Sequence, residues 1–140
     1  MVDKVVFAQK LAAIRDAVAR IREVLPASEQ VFETDRSARE IVTLNLFLAL
    51  QETISLATHW LADQGWDVPQ SYGEVFTVLA ARGVLSRELA ARLRGAAGLR
   101  NLIAHRYATL DFDRVFAFAS SDLDDLSAFC RELAARMERE

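Results

Sequence analysis

Apolar residues recur along the chain at helical spacing. Phe7, Leu11, Ile14, Val18, Ile21 and Leu25 step by four and three, which draws one stripe down a first helix. Pro26 ends it, because the residue before a proline is pushed out of the helical region. Ser28 to Asp35 is weakly patterned and leaves room for a turn or two. From about Ser37 to Asp63, Leu46, Leu50, Ile54, Ala57 and Leu61 form one stripe, and Ile41, Leu44 and Leu48 form an adjoining one. An apolar surface this broad predicts burial on two sides, the second against another helix or against a partner chain. A dimer is therefore expected from the pattern alone.

Gly65 and Pro69 bracket a loop, and Ser71 followed by Glu74 predicts a capping box for a short helix through Ala81. Gly83 stands where a helix stops, and Ser86 is placed to cap a helix that runs to about His105. Asp111 caps a last segment carrying Phe112, Phe116, Ala119, Leu123, Leu126, Cys130, Leu133 and Met137, with Ser120-Ser121-Asp122 as a kink or restart. The expectation is one all-α domain over residues 1–140, a bundle of four main helices plus one or two short ones.

Composition narrows this further. Five glycines and two prolines in 140 residues are too little turn material for a sheet of many short strands. Cys130 is the only cysteine, so the chain has no internal disulfide, and a free thiol among apolar neighbours fits a reducing compartment. Asp3, Lys4, Gln9 and Lys10 interrupt any leader-like run, and no stretch of apolar residues is long enough to predict a membrane span. A cytoplasmic protein is expected. The net charge of −3 argues against a protein that coats nucleic acid, yet the charge is uneven. Between Arg82 and Tyr107 six arginines (82, 87, 92, 94, 100, 106) face one acid, Glu88, so this segment is +5 and the rest of the chain −8.

One residue in that segment breaks the pattern. The buried stripe of its helix should run Leu89, Leu93, Ala96, position 100, Ile103, position 107, and position 100 is arginine. A guanidinium there costs several kcal/mol unless it is paired or faces a cavity, which leaves two readings: an arginine that snorkels or pairs with an acid, or an anion-binding group in a cleft. His105 follows five residues later, about 140° away around an ideal helix, whereas Asn101 and His105 share a face. Arg100 and His105 meet only if the arginine reaches, the helix unwinds, or two such helices face each other across a dimer axis. The pair suits metal-free phosphodiester cleavage: histidine moves a proton near neutral pH, and arginine offers a fork of donors to phosphate oxygens. Two separated histidines and one apolar cysteine make no metal-ligand set, and no cofactor is expected. Asp122, Asp124 and Asp125 are read as a solvated helix start, Gly95 and Gly98 as sites of close packing, His59 and Trp60 as packing or surface residues, and Tyr72 as a loop anchor.

The run Arg100-Asn-Leu-Ile-Ala-His105-Arg-Tyr107 resembles the signature of HEPN-domain proteins, and the tyrosine two residues after the histidine resembles the HepT branch of them. Arg39-Glu40, the segments 71–76 and 83–85, and Gly98-Leu99 before the motif extend the similarity over nearly the whole chain. The resemblance implies a HEPN-type helical bundle that dimerises so that two motifs face one cleft. It implies metal-independent cleavage of transfer or messenger RNA, with Arg100 and His105 catalytic, Asn101 in support, and Arg94 and Arg106 as contacts for the substrate. It also implies a partner, a minimal nucleotidyltransferase antitoxin, which can transfer AMP to the motif tyrosine, here Tyr107. The alternative is a non-catalytic subunit that holds nucleotide or RNA for such a transferase, which the acidic balance of the whole chain favours.

Overall fold

The computed structural model describes residues 3–139, and among these it contains seven α-helices and no strand. They are α1 (Lys4–Val24), α2 (Glu29–Thr34), α3 (Arg36–Asp63), α4 (Tyr72–Ala81), α5 (Arg87–Arg106), α6 (Phe112–Ser121) and α7 (Leu123–Glu138), with one 3₁₀ turn at Tyr107–Thr109. The bundle thus has four long helices and three short ones, one more than expected, because the last segment breaks at Asp122, where the backbone leaves the helical region (φ −116°, ψ 1°).

Short polar side chains start most of the helices. Asp3 accepts the amides of Val5 and Val6, Ser28 that of Val31, Asp35 that of Ala38, Ser86 that of Leu89 and Asp111 that of Asp113. The capping box expected at α4 does not form. Ser71 occupies the cap position but its hydroxyl accepts no amide, and Glu74 turns to Arg94 at 3.5 Å. Gly83 ends α4 as expected, at φ +75°, a conformation that favours glycine.

α3 is the axis of the molecule and touches all six other helices, with α1 laid along it and α4 packed on α5. Phe7, Leu11, Ile14, Val18 and Ile21 of α1 are buried as the stripe requires, and one contiguous core draws on every helix. Edge-on ring pairs tie its parts together: Phe7 with Trp60 at 5.5 Å, Phe76 with Phe129 at 5.8 Å, and Phe32 of α2 against Phe112 and Phe116 of α6. Asp124 and Asp125 are more than a solvated start for α7, since they pair with Arg22 at 2.8 Å and Arg92 at 2.9 Å.

Of the two stripes on α3, Leu46, Leu50, Ile54, Ala57 and Leu61 are buried, whereas Leu44 and Leu48 stand 57% and 46% exposed. The second side predicted for this helix is open in the single chain. Among the described residues α3 is also the one helix long and apolar enough to cross a membrane, and half of that stretch is buried inside the bundle.

Candidate functional site

The site grows from the face of α5 that meets α3. Leu89, Leu93, Ala96, Leu99 and Ile103 are buried there, and half-buried Arg100 holds the predicted break in the stripe. Its Nε donates to Oε1 of Gln51 at 2.8 Å, and its Nη1 donates to Oδ1 of Asn101 at 2.9 Å. The guanidinium lies 4.8 Å from the ring centre of Tyr72 and 5.5 Å from that of Phe47. Among the described residues it forms no salt bridge, whereas Arg20, Arg22, Arg36, Arg92 and Arg94 each pair with an acid. Two neutral acceptors and two ring faces hold Arg100 in place while leaving its charge uncancelled, which is how an anion-binding group is built.

His105 and Arg106 are exposed, and among the described residues the His105 side chain makes no hydrogen bond or ion pair. α5 stays helical through Arg106, where φ −136° and ψ 32° lead into the 3₁₀ turn, so unwinding does not carry His105 toward Arg100. Within one chain the structure joins Arg100 to Asn101 but not to His105. His105 follows Arg94, Gly98 and Asn101 on an exposed face of α5.

Arg94 is already engaged with Glu74 across a groove of about 460 Å³, which Tyr72, Gly95, Gly98 and Asn101 also line. The close packing expected at Gly95 and Gly98 is absent in the chain: a Cβ added at either would meet nothing within 4 Å. Tyr107 leaves the predicted stripe, because it lies past the end of α5, 46% exposed, with its ring edge-on to Phe112 at 6.2 Å. It lines a second, more apolar cleft of about 510 Å³ together with Glu40, Thr43, Leu44, Phe47, Ile103 and Ala104.

Three residues of the arginine's cradle escape sequence reasoning. Tyr72 is a ring beside the guanidinium, not merely a loop anchor, and Phe47 and Gln51 complete the arrangement from α3. A faint signal exists, since Gln51 is a polar residue inside an apolar helix, one turn after Phe47 and so on its face. Burial pushes the Cys130 thiol up to about 11, against the pull of Arg15 and Arg131, so it is protonated and unreactive near neutral pH. Elsewhere, three exposed carboxylates on α2 and α6, Glu29, Glu33 and Asp113, come within 4.8 Å of one another. The hydrogen bond and then the charge of Asp113 raise the pKa values of Glu29 and Glu33.

Comparison with known proteins finds similarity over the same stretch. The family described as "Ribonuclease HepT-like" matches residues 14–133. The mRNA nuclease HepT of Shewanella oneidensis is 32% identical over 120 residues, which span 86% of this chain and 90% of that protein. Among solved structures, a tri-AMPylated Shewanella oneidensis HEPN toxin in complex with its MNT antitoxin superposes with a TM-score of 0.84 at 30% identity, covering 92% of this chain and 96% of that one. A toxin–antitoxin pair, MntA–HpeT, carrying a tyrosine-to-alanine substitution gives a TM-score of 0.85 at 29% identity, over 92% and 98%.

Proposed function

The chain belongs to the HepT-like ribonuclease family, and we propose that it cuts RNA without a metal, as the toxin of a toxin–antitoxin pair, with Arg100 and His105 as its catalytic groups. The observation that carries this reading is the unneutralised Arg100 guanidinium, held by Gln51 and Asn101 between the rings of Tyr72 and Phe47. A phosphodiester set against it meets a preorganised fork that gains strength as charge builds on the phosphate oxygens. The RNA supplies its own nucleophile. His105 takes the proton of a ribose 2′-hydroxyl or gives one to the departing 5′-oxygen, and the product is a 2′,3′-cyclic phosphate. Asn101 orients Arg100, while Arg106 and Arg94 contact the RNA backbone, Arg94 with its charge partly offset by Glu74.

Because α5 turns Arg100 and His105 to different faces, the working unit is a homodimer in which Arg100 of one protomer meets His105 of the other. The open Leu44 and Leu48 on α3 supply apolar surface for that contact. The antitoxin is a minimal nucleotidyltransferase that silences the enzyme by placing AMP on Tyr107, a half-exposed phenol that lines one cleft with Phe47 of the Arg100 cradle. A buried, reduced Cys130 suits action in the cytoplasm.

The test is cleavage of a labelled RNA pool by purified protein in EDTA beside a His105→Ala control. Cleavage by the wild type alone, leaving cyclic phosphate ends, is the expected result. No cleavage by either protein, once mass spectrometry has excluded a pre-existing adduct on Tyr107, assigns the chain instead as a nucleotide-binding subunit.

A further inference from the structure

Tyr107 also lines a second, smaller cleft. This cleft of about 230 Å³ lies between the start of α3 and the 3₁₀ turn, lined by Arg36, Arg39, Glu40, Tyr107, Ala108 and Phe112. Two aromatic contacts fix its shape: the Arg39 guanidinium lies over the Phe112 ring at 5.4 Å, and the Tyr107 ring meets the same Phe112 edge-on. Arg39 also donates through Nη1 to the Glu33 carbonyl. Arg36 gives its Nε to Glu40 at 2.7 Å, which partly offsets its charge but leaves both terminal nitrogens available as donors. Its pKa is raised chiefly by that bond and the charge of Glu40, and the nearby phenol of Tyr107 adds to the effect. Two guanidinium groups thus share one cleft with the Tyr107 phenol.

We propose that Arg36 and Arg39 form the phosphate-binding half of the Tyr107 site and clamp the phosphodiester of a nucleotidyl group once it is attached there. This rests on the reading of Tyr107 as a nucleotidyl acceptor and adds what holds the adduct in place. The phenolic oxygen attacks the α-phosphorus of ATP, and a new oxygen–phosphorus bond forms. The bond from that phosphorus to the oxygen bridging the β-phosphate breaks, pyrophosphate leaves with the electron pair, and the phenolic proton passes to a base of the transferase or to water. The product carries one negative charge on a phosphodiester attached to a residue that shares its cleft with both guanidinium groups. Without such a clamp the adduct would swing freely on an exposed turn and give an open site part of the time.

The same cleft suits RNA less well. Glu29, Glu33, Asp111 and Asp113 crowd the adjoining ends of α2 and α6, so a long polyanion laid across this corner meets four further carboxylates, while a single phosphodiester at Tyr107 meets two arginines and one acid, Glu40.

The experiment uses the toxin together with its antitoxin and ATP, with wild type, Arg36→Ala, the double variant Arg36→Ala/Arg39→Ala, and Arg39→Lys in case loss of the Phe112 contact disturbs folding. Adduct formation is followed by intact mass. The modified proteins are then exposed to an added phosphodiesterase, and the melting temperature is recorded with and without the adduct. Expected is a wild-type adduct that raises the melting temperature and resists removal. In the double variant removal is about tenfold faster and the thermal gain is lost, while the unmodified variants melt and cut RNA like unmodified wild type. Equal removal rates and equal thermal gains overturn the clamp. A loss of RNA cleavage by the unmodified double variant, with adduct stability unchanged, assigns the arginines to RNA and also overturns it. No adduct on the wild type, or as much on Tyr107→Phe, overturns the clamp together with the reading of Tyr107 on which it rests.

Discussion

Gln51 decides how Arg100 is presented. Its amide oxygen accepts a hydrogen bond from Nε at 2.8 Å without bringing a charge, so the guanidinium is fixed without an acid to offset it. Two substitutions separate these effects. Gln51→Leu removes a hydrogen bond to a charged group, an interaction of about 1.5–3 kcal/mol, and is expected to slow single-turnover RNA cleavage roughly tenfold or more, mainly in the rate at saturating RNA. Gln51→Glu keeps the geometry but supplies the acid that Arg100 lacks, and is expected to slow cleavage further while leaving the melting temperature unchanged or higher. Full activity in Gln51→Glu would show that the free charge of Arg100 is not used. The arginine itself is legible in the sequence as a cation in an apolar stripe, and so is its tie to Asn101, its neighbour. Its other partners lie on α3 and α4, at 49 residues' separation for Gln51, and no local pattern says which residues of another helix will face it. Tyr107 misleads for a different reason: the period of α5 carries to position 107 only if the helix does, and the chain turns to 3₁₀ geometry first.

At the scale of elements, the junction of α2 with α6 sets two forces against each other. Phe32 packs edge-on against Phe112 and Phe116 and holds the helices together. Glu29 and Glu33 face Asp113, whose hydrogen bond and charge raise both of their pKa values. For an acid whose pKa is raised by folding, the contribution to stability is complete below the unfolded value of 4.5 and is lost as pH rises through the folded value. Asp113→Asn removes the repulsion and is expected to raise the melting temperature at pH 7.5, with little difference from wild type below pH 4, where Glu29 and Glu33, with their raised pKa values, no longer carry charge. A melting difference that is the same at both pH values would contradict this account. Helix positions are legible because stripes and caps are local: Ser86 and Asp111 cap as expected, whereas Asp3, Ser28 and Asp35 cap helices whose starts the stripes alone do not mark. Ser71 shows the limit of such reading, since Glu74 has a tertiary partner in Arg94 and the box gives way to it.

For the whole molecule the proposed pairing of Arg100 with His105 requires two protomers, because one helix points the two side chains apart. Leu44 and Leu48 leave an apolar strip of α3 uncovered at the cleft that Leu44 and Tyr107 line, and a second copy related by a two-fold axis would cover both strips at once. Leu44→Glu with Leu48→Glu is expected to give a helical monomer without RNA cleavage, checked by light scattering and circular dichroism. That result alone does not say which chain supplies which residue, because any dimer-dependent fold would behave alike. Mixing two inactive variants does. If each site takes Arg100 from one protomer and His105 from the other, an Arg100→Ala chain paired with a His105→Ala chain has one site with both groups intact and one with neither. Random pairing makes half the dimers mixed, so about a quarter of the wild-type rate returns. If each site draws both residues from one chain, every site in the mixture lacks one group and the rate stays at that of the parents. Recovery on mixing, and its loss when Leu44→Glu and Leu48→Glu are added to both chains, would tie the exposed strip of α3 to the chemistry of α5.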